Sequence, residues 1–141
     1  FFGMEFVAWF THKYIMHGLL WRLHEDHHKP RSGKLFEKND YFFVIFALPA
    51  IICFVFGFSN FGIPFWVGLG ITLYGMAYFF IHDLFIHQRA KVLRDANSLY
   101  FKAIRKAHKV HHKHLGREHG ECFGMLWAPL RYFKEAKKNP S

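Results

Sequence analysis

The sequence predicts an all-α integral membrane protein of about three membrane-spanning helices, with a histidine-rich helical cap on the cytoplasmic side. Three observations predict it. No Asp, Glu, Lys or Arg occurs from Tyr41 to Ile81. All 19 Lys and Arg residues lie outside that stretch, on both sides of it. Two histidine arrays of one design flank it: His12-x4-His17 with His24-x2-His27-His28 before, and His82-x4-His87 with His108-x2-His111-His112 after.

The chain opens on apolar Phe1, Phe2, Met4, Phe6, Val7, Ala8, Trp9 and Phe10, a run too short to span a bilayer before His12. The expectation is that further residues precede Phe1 and complete the outer half of a first membrane helix. A secretory signal is not expected, since neither a basic start nor a small-residue cleavage site precedes the histidines. The uncharged stretch, about residues 41–81, divides at Ser59-Asn60-Phe61-Gly62. Each of its two runs, about 18–20 residues long, suffices as a helix for a ~30 Å hydrocarbon core. Core helices of a soluble bundle normally keep a polar face; these runs have none. They read as a transmembrane hairpin with a short outer turn.

Pro64 suits the first turn of the second helix, where its missing N–H costs nothing. Pro49 falls inside the first, where a membrane helix tolerates a kink. Gly68, Gly70 and Gly75 permit close helix packing. After the second array, residues 123–130 offer a fourth, re-entrant or interfacial segment. At 141 residues the whole chain, 1–141, is expected to be one membrane-embedded domain.

The basic residues set the orientation. Lys13 stands in the first segment, five more fall in residues 22–38 and thirteen follow His87. The positive-inside rule places both flanks in the cytoplasm, and a two-helix hairpin returns the chain to the side it left. The two arrays therefore meet on one membrane face. The +9 charge reads as orientation signal and contact with anionic lipid. No nucleic-acid partner is expected, because no binding motif accompanies it. Cys53 and Cys122 form no CxxC pattern and imply no disulfide framework.

Ten of the 12 histidines belong to the arrays: His12, His17, His24, His27, His28, His82, His87, His108, His111 and His112. Imidazole is the commonest protein metal ligand, and ten are about right for a pair of ions. His24, His27 and His28 stand at i, i+3 and i+4 and share a helix face, as do His108, His111 and His112. The HxxxxH pairs lie about 140° apart on an ideal α-helix. Either their rings flank the site from adjacent faces, or a π-bulge aligns them. His114 and His119 stand outside the pattern and read as solvated or supporting groups.

Carboxylates beside the arrays (Glu5, Glu25, Asp26, Asp83, Glu118 and Glu121) could accept the free N–H of a ligating ring. Glu5 stands out because a carboxylate inside an apolar segment needs a partner, and Asp83 because it adjoins His82. Both are expected to orient ligand rings. His24-Glu25-Asp26-His27-His28 also spells HExxH, the zinc-protease signature. That chemistry needs three protein ligands and a water, which leaves most of the arrays without a role, and the second copy lacks the Glu. A carboxylate-poor, histidine-rich metal pair bordered by apolar helices suits O2 activation, which needs water excluded. The Phe-rich helices would then border a slot for an apolar substrate entering from lipid.

The segments Phe10-Thr11-His12-Lys13-Tyr14-Ile15-Met16-His17-Gly18, His27-His28-Lys29-Pro30-Arg31 and Asn39-Asp40 resemble the bacterial carotenoid β-ring 3-hydroxylases, members of the fatty acid hydroxylase superfamily. So do Tyr74-Gly75, Tyr78-Phe79, His82-Asp83-x3-His87-Gln88-Arg89, Ala107-His108-x2-His111-His112 and Phe123-Gly124. The resemblance runs through nearly the whole chain. It implies a non-haem di-iron monooxygenase that uses O2 to convert β-carotene through β-cryptoxanthin to zeaxanthin. The ten array histidines match the family's metal positions; zinc can substitute for iron at imidazole sites. Electrons would come from a ferredoxin-type donor, the carotenoid from the bilayer. The location implied is the bacterial inner membrane, the cap in the cytoplasm among membrane lipids. Alternatives of the same chemistry are a fatty acid or sterol hydroxylase, a desaturase or a carotenoid ketolase. From other classes come a membrane metal transporter or metal-binding protein and, last, an intramembrane zinc protease.

Overall fold

A computed structural model describes residues 1–29, 36–90 and 93–138, all helices and connections with no strand among them. Pro30 and Arg31 of the motifs above, with Lys34 and Lys91 of the basic complement, lie outside the described residues. Helix α1 (Phe2–Phe10) continues without a break into a π-helical stretch, Thr11–Leu19, and α2 (Trp21–His28) follows. A 3-10 turn at Lys38–Asp40 leads into α3 (Tyr41–Gly57). Helix α4 (Ile63–Tyr78) again runs on as a π-helix, Phe79–Ile86; α5 (Leu99–Lys113) and α6 (Leu130–Lys138) complete the chain.

The hairpin forms as its sequence requires. Helix α3 runs through Pro49, and Pro64 sits in the first turn of α4. Between them Phe61 takes a left-handed φ of 49°, and the Gly62 N–H donates to Asn60 Oδ1 at 2.9 Å. Lys38–Gly57 (20 residues) and Ile63–Ile86 (24 residues) are long and apolar enough to cross a membrane. Their large side chains face outward: Val55 and Phe56 are each 73% exposed and Ile63 80%. A soluble bundle would bury such residues, so these surfaces suit lipid. The second limb extends past Ile81 and carries His82 and Asp83 at its end.

Outside the hairpin, a small core joins α5 to α6 through Ala103, Ile104, Ala107, Ala128, Tyr132 and Ala136. Alanines on α5 let the last helix approach closely while His108 and His111 turn inward. Residues 123–129, expected to form a fourth re-entrant or interfacial segment, are irregular, and helix begins only at Leu130. Their backbone is held by Glu5 of α1, as described below.

Gly57 is where the two limbs touch. A Cβ there would lie 2.7 Å from Phe65 Cα and against the Phe65 nitrogen, both backbone atoms that cannot yield. Gly57→Val is predicted to cost about 1–3 kcal/mol by overpacking, seen as a lower thermal midpoint in detergent. Gly3→Ala, with open space around its Cβ position, should leave the midpoint unchanged.

Candidate metal centre

The π-helical stretches resolve how residues five apart can share a site. Backbone bonds there run from i+5 to i, as from the His87 N–H to the His82 carbonyl at 2.9 Å and from the Leu20 N–H to the Ile15 carbonyl at 2.8 Å. The wider turn brings position i+5 back beneath position i, which an α-helix does not. The His12 and His17 ring centres come within 5.3 Å of each other, and those of His82 and His87 within 4.5 Å. Of the two geometries open to the sequence, the π-bulge is the one found, in both arrays.

The rings gather into two buried sets. His12, His17, His24, His28 and His111 form the first; His27, His82, His87 and His108 form the second. Within each, one ligand nitrogen per ring lies within 4.8 Å of all the others. His112 packs between the sets, 4.5 Å from His108, 4.8 Å from His27 and 4.9 Å from His87 of the second and 4.6 Å from His28 of the first, between ring centres. The arrays are interleaved: His111 of the second array joins the first set, and His27 of the first joins the second. On α2 His24 and His28, at i and i+4, stay together, while on both α2 and α5 the ring at i+3 crosses to the other set.

Which nitrogen carries each proton follows from the outward partners. His12 donates through Nδ1 to the Phe123 carbonyl at 3.0 Å, and His17 likewise to Arg117 at 3.0 Å. His28 donates to the His114 carbonyl at 2.9 Å and His111 to that of Glu121 at 2.8 Å. A carbonyl oxygen can only accept, so Nδ1 holds the hydrogen. His24 bonds Asn39 Oδ1 at 2.6 Å, His27 bonds Glu37 Oε2 at 2.9 Å and His82 bonds Asp83 Oδ2 at 3.3 Å. Seven rings are thereby committed to a bare Nε2.

Those Nε2 atoms face one another. His12–His24, His24–His28 and His28–His111 are each 3.1 Å apart, His17–His111 3.2 Å and His27–His82 3.0 Å. Two lone pairs cannot hydrogen-bond, so these contacts are repulsive unless a cation lies between them. The buried Nε2 of His112 has no hydrogen-bond partner at all. An all-imidazole donor set with an orphaned nitrogen fits a borderline divalent metal. With metal–nitrogen bonds of about 2.1 Å, donors at right angles stand about 3.0 Å apart and tetrahedral ones about 3.4 Å. Nitrogens 3.0–3.2 Å apart are thus close enough to share one ion.

Burial favours the neutral form of His24, His27, His28, His108, His111 and His112. It pushes His24 and His111 down to about 2, with neighbouring rings adding to the effect. His112 falls to about 3 and His28 to about 4, and His27 and His108 also lie well below the ordinary value, all chiefly through desolvation. Neutral imidazole is the form that binds metal.

Asp83 Oδ2 lies 3.3 Å from His82 Nδ1 and accepts from it. Glu5 requires a correction: it bonds no histidine. Its carboxylate accepts from the backbone N–H groups of Met125, Leu126 and Trp127 at 2.9–3.1 Å and from the Tyr74 hydroxyl at 2.6 Å. Glu5 thus positions the segment whose Phe123 carbonyl holds His12, one step removed from any ligand. Glu25 pairs with Lys29 at 2.6 Å on the surface, which disposes of the HExxH reading. Asp26 accepts from the Lys38 N–H. Glu121 serves through its carbonyl, not its carboxylate, which pairs with Arg131. His114 contributes only its carbonyl, and His119 is exposed.

Sequence reasoning missed Glu37 and left Asn39 without a role. The signal was there: Glu37-Lys38-Asn39-Asp40 is a polar cluster abutting the uncharged helix, and its 3-10 turn is fixed by the Glu37 N–H donating to Asp40 Oδ2 at 3.0 Å. A largely apolar cleft lies beside the sets, lined by Phe42, Phe46, Tyr78 and Phe123 among others; Asn39, Asp40 and Asp83 also reach it, and His12 is the set member on its wall.

Apolar helices of membrane-crossing length, ending in two interleaved imidazole sets able to hold metal, define a helical polyhistidine metal-site protein. The family model described as fatty acid hydroxylase matches residues 1–130, and the chain belongs to that family. It is 45% identical over 126 residues to the "Beta-carotene hydroxylase" of Pseudescherichia vulneris, covering 89% of this chain and 71% of that protein. The Pantoea ananas protein of the same name is 42% identical over 127 residues, 90% of this chain and 72% of the relative. "Beta-carotene hydroxylase 1, chloroplastic" of Capsicum annuum is 44% identical over 131 residues, 90% of this chain but 41% of the plant protein. The chain therefore spans under half of the Capsicum annuum protein and about seven-tenths of these bacterial ones. No solved structure matches.

The depressed histidines give the metal-free fold a defined acid limit. The unfolded chain, with histidines near 6.5, binds more protons than the folded one below that pH, so acid favours unfolding. Stability is predicted to be complete above about pH 6.5 and to fall as the pH drops towards about 4, where His28 titrates, and about 2, where His24 does. Thermal melts of chelator-treated protein in detergent should show a lower midpoint at pH 5 than at pH 7.5. An equal midpoint at both would contradict the assignment.

Proposed function

We propose that the chain is a non-haem di-iron monooxygenase that hydroxylates carbon 3 of carotenoid β-rings, converting β-carotene through β-cryptoxanthin to zeaxanthin. The observation that carries it is the meeting, at His12, of a buried imidazole set with an apolar cleft between membrane-length helices. The names of the relatives at 42–45% identity supply the substrate class. Each cycle adds one oxygen atom of O2 to the ring carbon, reduces the other to water and consumes two electrons and two protons.

Ten histidines hold the metal: His12, His17, His24, His28 and His111 one ion, His27, His82, His87, His108 and His112 the other. Iron bound there supplies the O2 reduction and C–H oxidation that side chains lack. The chain's own part is to bind, orient and dry the site. Phe42, Phe46, Tyr78 and Phe123 give the β-ring an apolar wall, and its access from lipid keeps bulk water from the reacting carbon. Asp83, Glu37 and Asn39 hold ring planes; Glu5 holds the 125–127 backbone beneath them.

The architecture proposed is one domain over residues 1–141, with α1 and its π-extension as a third span beside α3 and α4. The histidine cap faces the cytoplasm of a bacterial inner membrane, since the basic residues cluster at the ends of the spans that bear the histidines. Exposed Lys109 and Lys113 of α5 and Lys134, Lys137 and Lys138 of α6 form a basic face suited to anionic lipid and to an acidic ferredoxin-type donor.

Expression in a bacterium that makes β-carotene tests the activity. Zeaxanthin and cryptoxanthin should appear by chromatography and mass spectrometry, and His108→Ala should abolish both. Unchanged β-carotene, with the chain folded, iron-loaded and supplied with electrons, would redirect the search to sterols and fatty acids. The docking face carries its own prediction: turnover supported by an acidic ferredoxin should fall several-fold between low and high salt. A salt-independent rate would exclude electrostatic docking.

A further inference from the structure

The two histidine sets differ in what stands behind them. Every outward N–H described in the first set goes to an uncharged acceptor: the carbonyls of Phe123, Arg117, His114 and Glu121 and the amide oxygen of Asn39. In the second, His27 and His82 donate to the carboxylates of Glu37 and Asp83. These carboxylates are tied together by Arg89. Its Nε lies 2.8 Å from Asp83 Oδ1, and one terminal nitrogen lies 3.4 Å from Glu37 Oε2 and 2.6 Å from Asp40 Oδ1. The Arg89 side chain is only 16% exposed. Carboxylates joined through one guanidinium thus back rings of the second set, where carbonyl and amide oxygens back those of the first.

Resting on the two-ion reading above, we infer that the metal positions are inequivalent: the set containing His27 and His82 grips its ion more tightly, with Arg89 as the positioning residue that holds Glu37 and Asp83 behind its rings, while the set containing His12 is the exchangeable one facing the cleft. A carboxylate accepting the Nδ1–H makes the opposite nitrogen a stronger donor, an effect worth about 10–100-fold in metal affinity. Its charge also acts on the cation through a poorly screened interior. Neutral carbonyls orient a ring without adding charge.

Arg89 is suited to the task by its planar fork, which meets several oxygens in fixed directions where a lysine offers a point charge. It follows Gln88, whose φ of 54° ends the π-helix and turns the chain back over the carboxylates. Without it Glu37, Asp40 and Asp83 would lose the cation they share. The turn at Lys38–Asp40 feeds both sides: Asn39 backs a ring of the first set, and Asp40 anchors the network of the second.

Cobalt(II) loading of the full chain in detergent tests this, followed by graded chelator, with metal per chain read by elemental mass spectrometry and the cobalt absorption bands recorded throughout. Two ions per chain are expected, one leaving at a chelator concentration at least tenfold below that needed for the other. Glu37→Gln keeps an acceptor but removes the charge, and should weaken only the late-leaving ion, by about 10–100-fold. Arg89→Gln should do likewise and shift that ion's absorption, with Arg89→Lys restoring part of both. Asn39→Asp adds charge behind the first set and should retain the early-leaving ion, narrowing the gap. This last arm decides the matter even where a weakened variant fails to fold. Coincident release from the wild type, equal weakening of both ions by Glu37→Gln, or an early ion unmoved by Asn39→Asp would overturn the inference. A wild-type chain that binds fewer than two cobalt ions would bring down the two-ion reading itself.

Discussion

The site depends on one repeated interaction: an imidazole N–H turned outward to an oxygen. Each such bond removes a choice of tautomer and fixes a ring plane, so that the other nitrogen meets its neighbours as a bare lone pair. Seven described rings are held so, with their Nε2 atoms buried. Lone pairs about 3 Å apart repel, and burial opposes relief by protonation because a charged imidazolium would lose its hydration. A metal cation relieves both penalties at once. Much of the surrounding fold, including Glu5 on the amides of residues 125–127, serves to keep the outward acceptors in place.

The interleaving of the arrays gives the centre a second property. On one helix face i+4 lies about 40° to one side of i and i+3 about 60° to the other. His24 and His28 therefore share a set while His27 reaches the neighbouring one, and His108 belongs to one set while His111 enters the other. Neither set can be completed by one half of the chain. The apolar hairpin separates the arrays in sequence and joins them in space, so helix packing within it bears directly on the distance between α2 and α5. Metal bound between the sets would therefore stabilise the tertiary fold that joins the two halves.

What was legible in the sequence was whatever depends on side-chain identity and period. The uncharged stretch named the hairpin, Pro64 its second start, and ten histidines the centre. The HxxxxH spacing could be reconciled with either adjacent faces or a π-turn, since five residues alone do not distinguish them; only the i+5 backbone bonds do. What was not legible is carried by backbone. The carbonyls of His114, Arg117, Glu121 and Phe123 have no residue type, and nothing in their letters marks them as acceptors. Cys122, between two of them, adopts a left-handed φ of 58°, and the carbonyls on either side of it both reach ligand rings. Glu5 was legible as a carboxylate in need of a partner, but three amides and a phenol met the need where a histidine was expected.

The same logic explains how a charged cluster is tolerated where α4 ends. Asp83 belongs to a span otherwise free of charge, and alone it would draw water or a proton into an apolar layer. His82, as donor, and Arg89, as counter-charge, meet its two oxygens separately. The polar network thus closes on itself where α4 ends, and two of its members, Asp40 and Asp83, reach the wall of the cleft beside His12. A reaction on a hydrocarbon needs a largely apolar surface, and pairing these carboxylates with a donor or a counter-charge keeps them from drawing water into it. His12, held by a neutral carbonyl, is the set member on that wall.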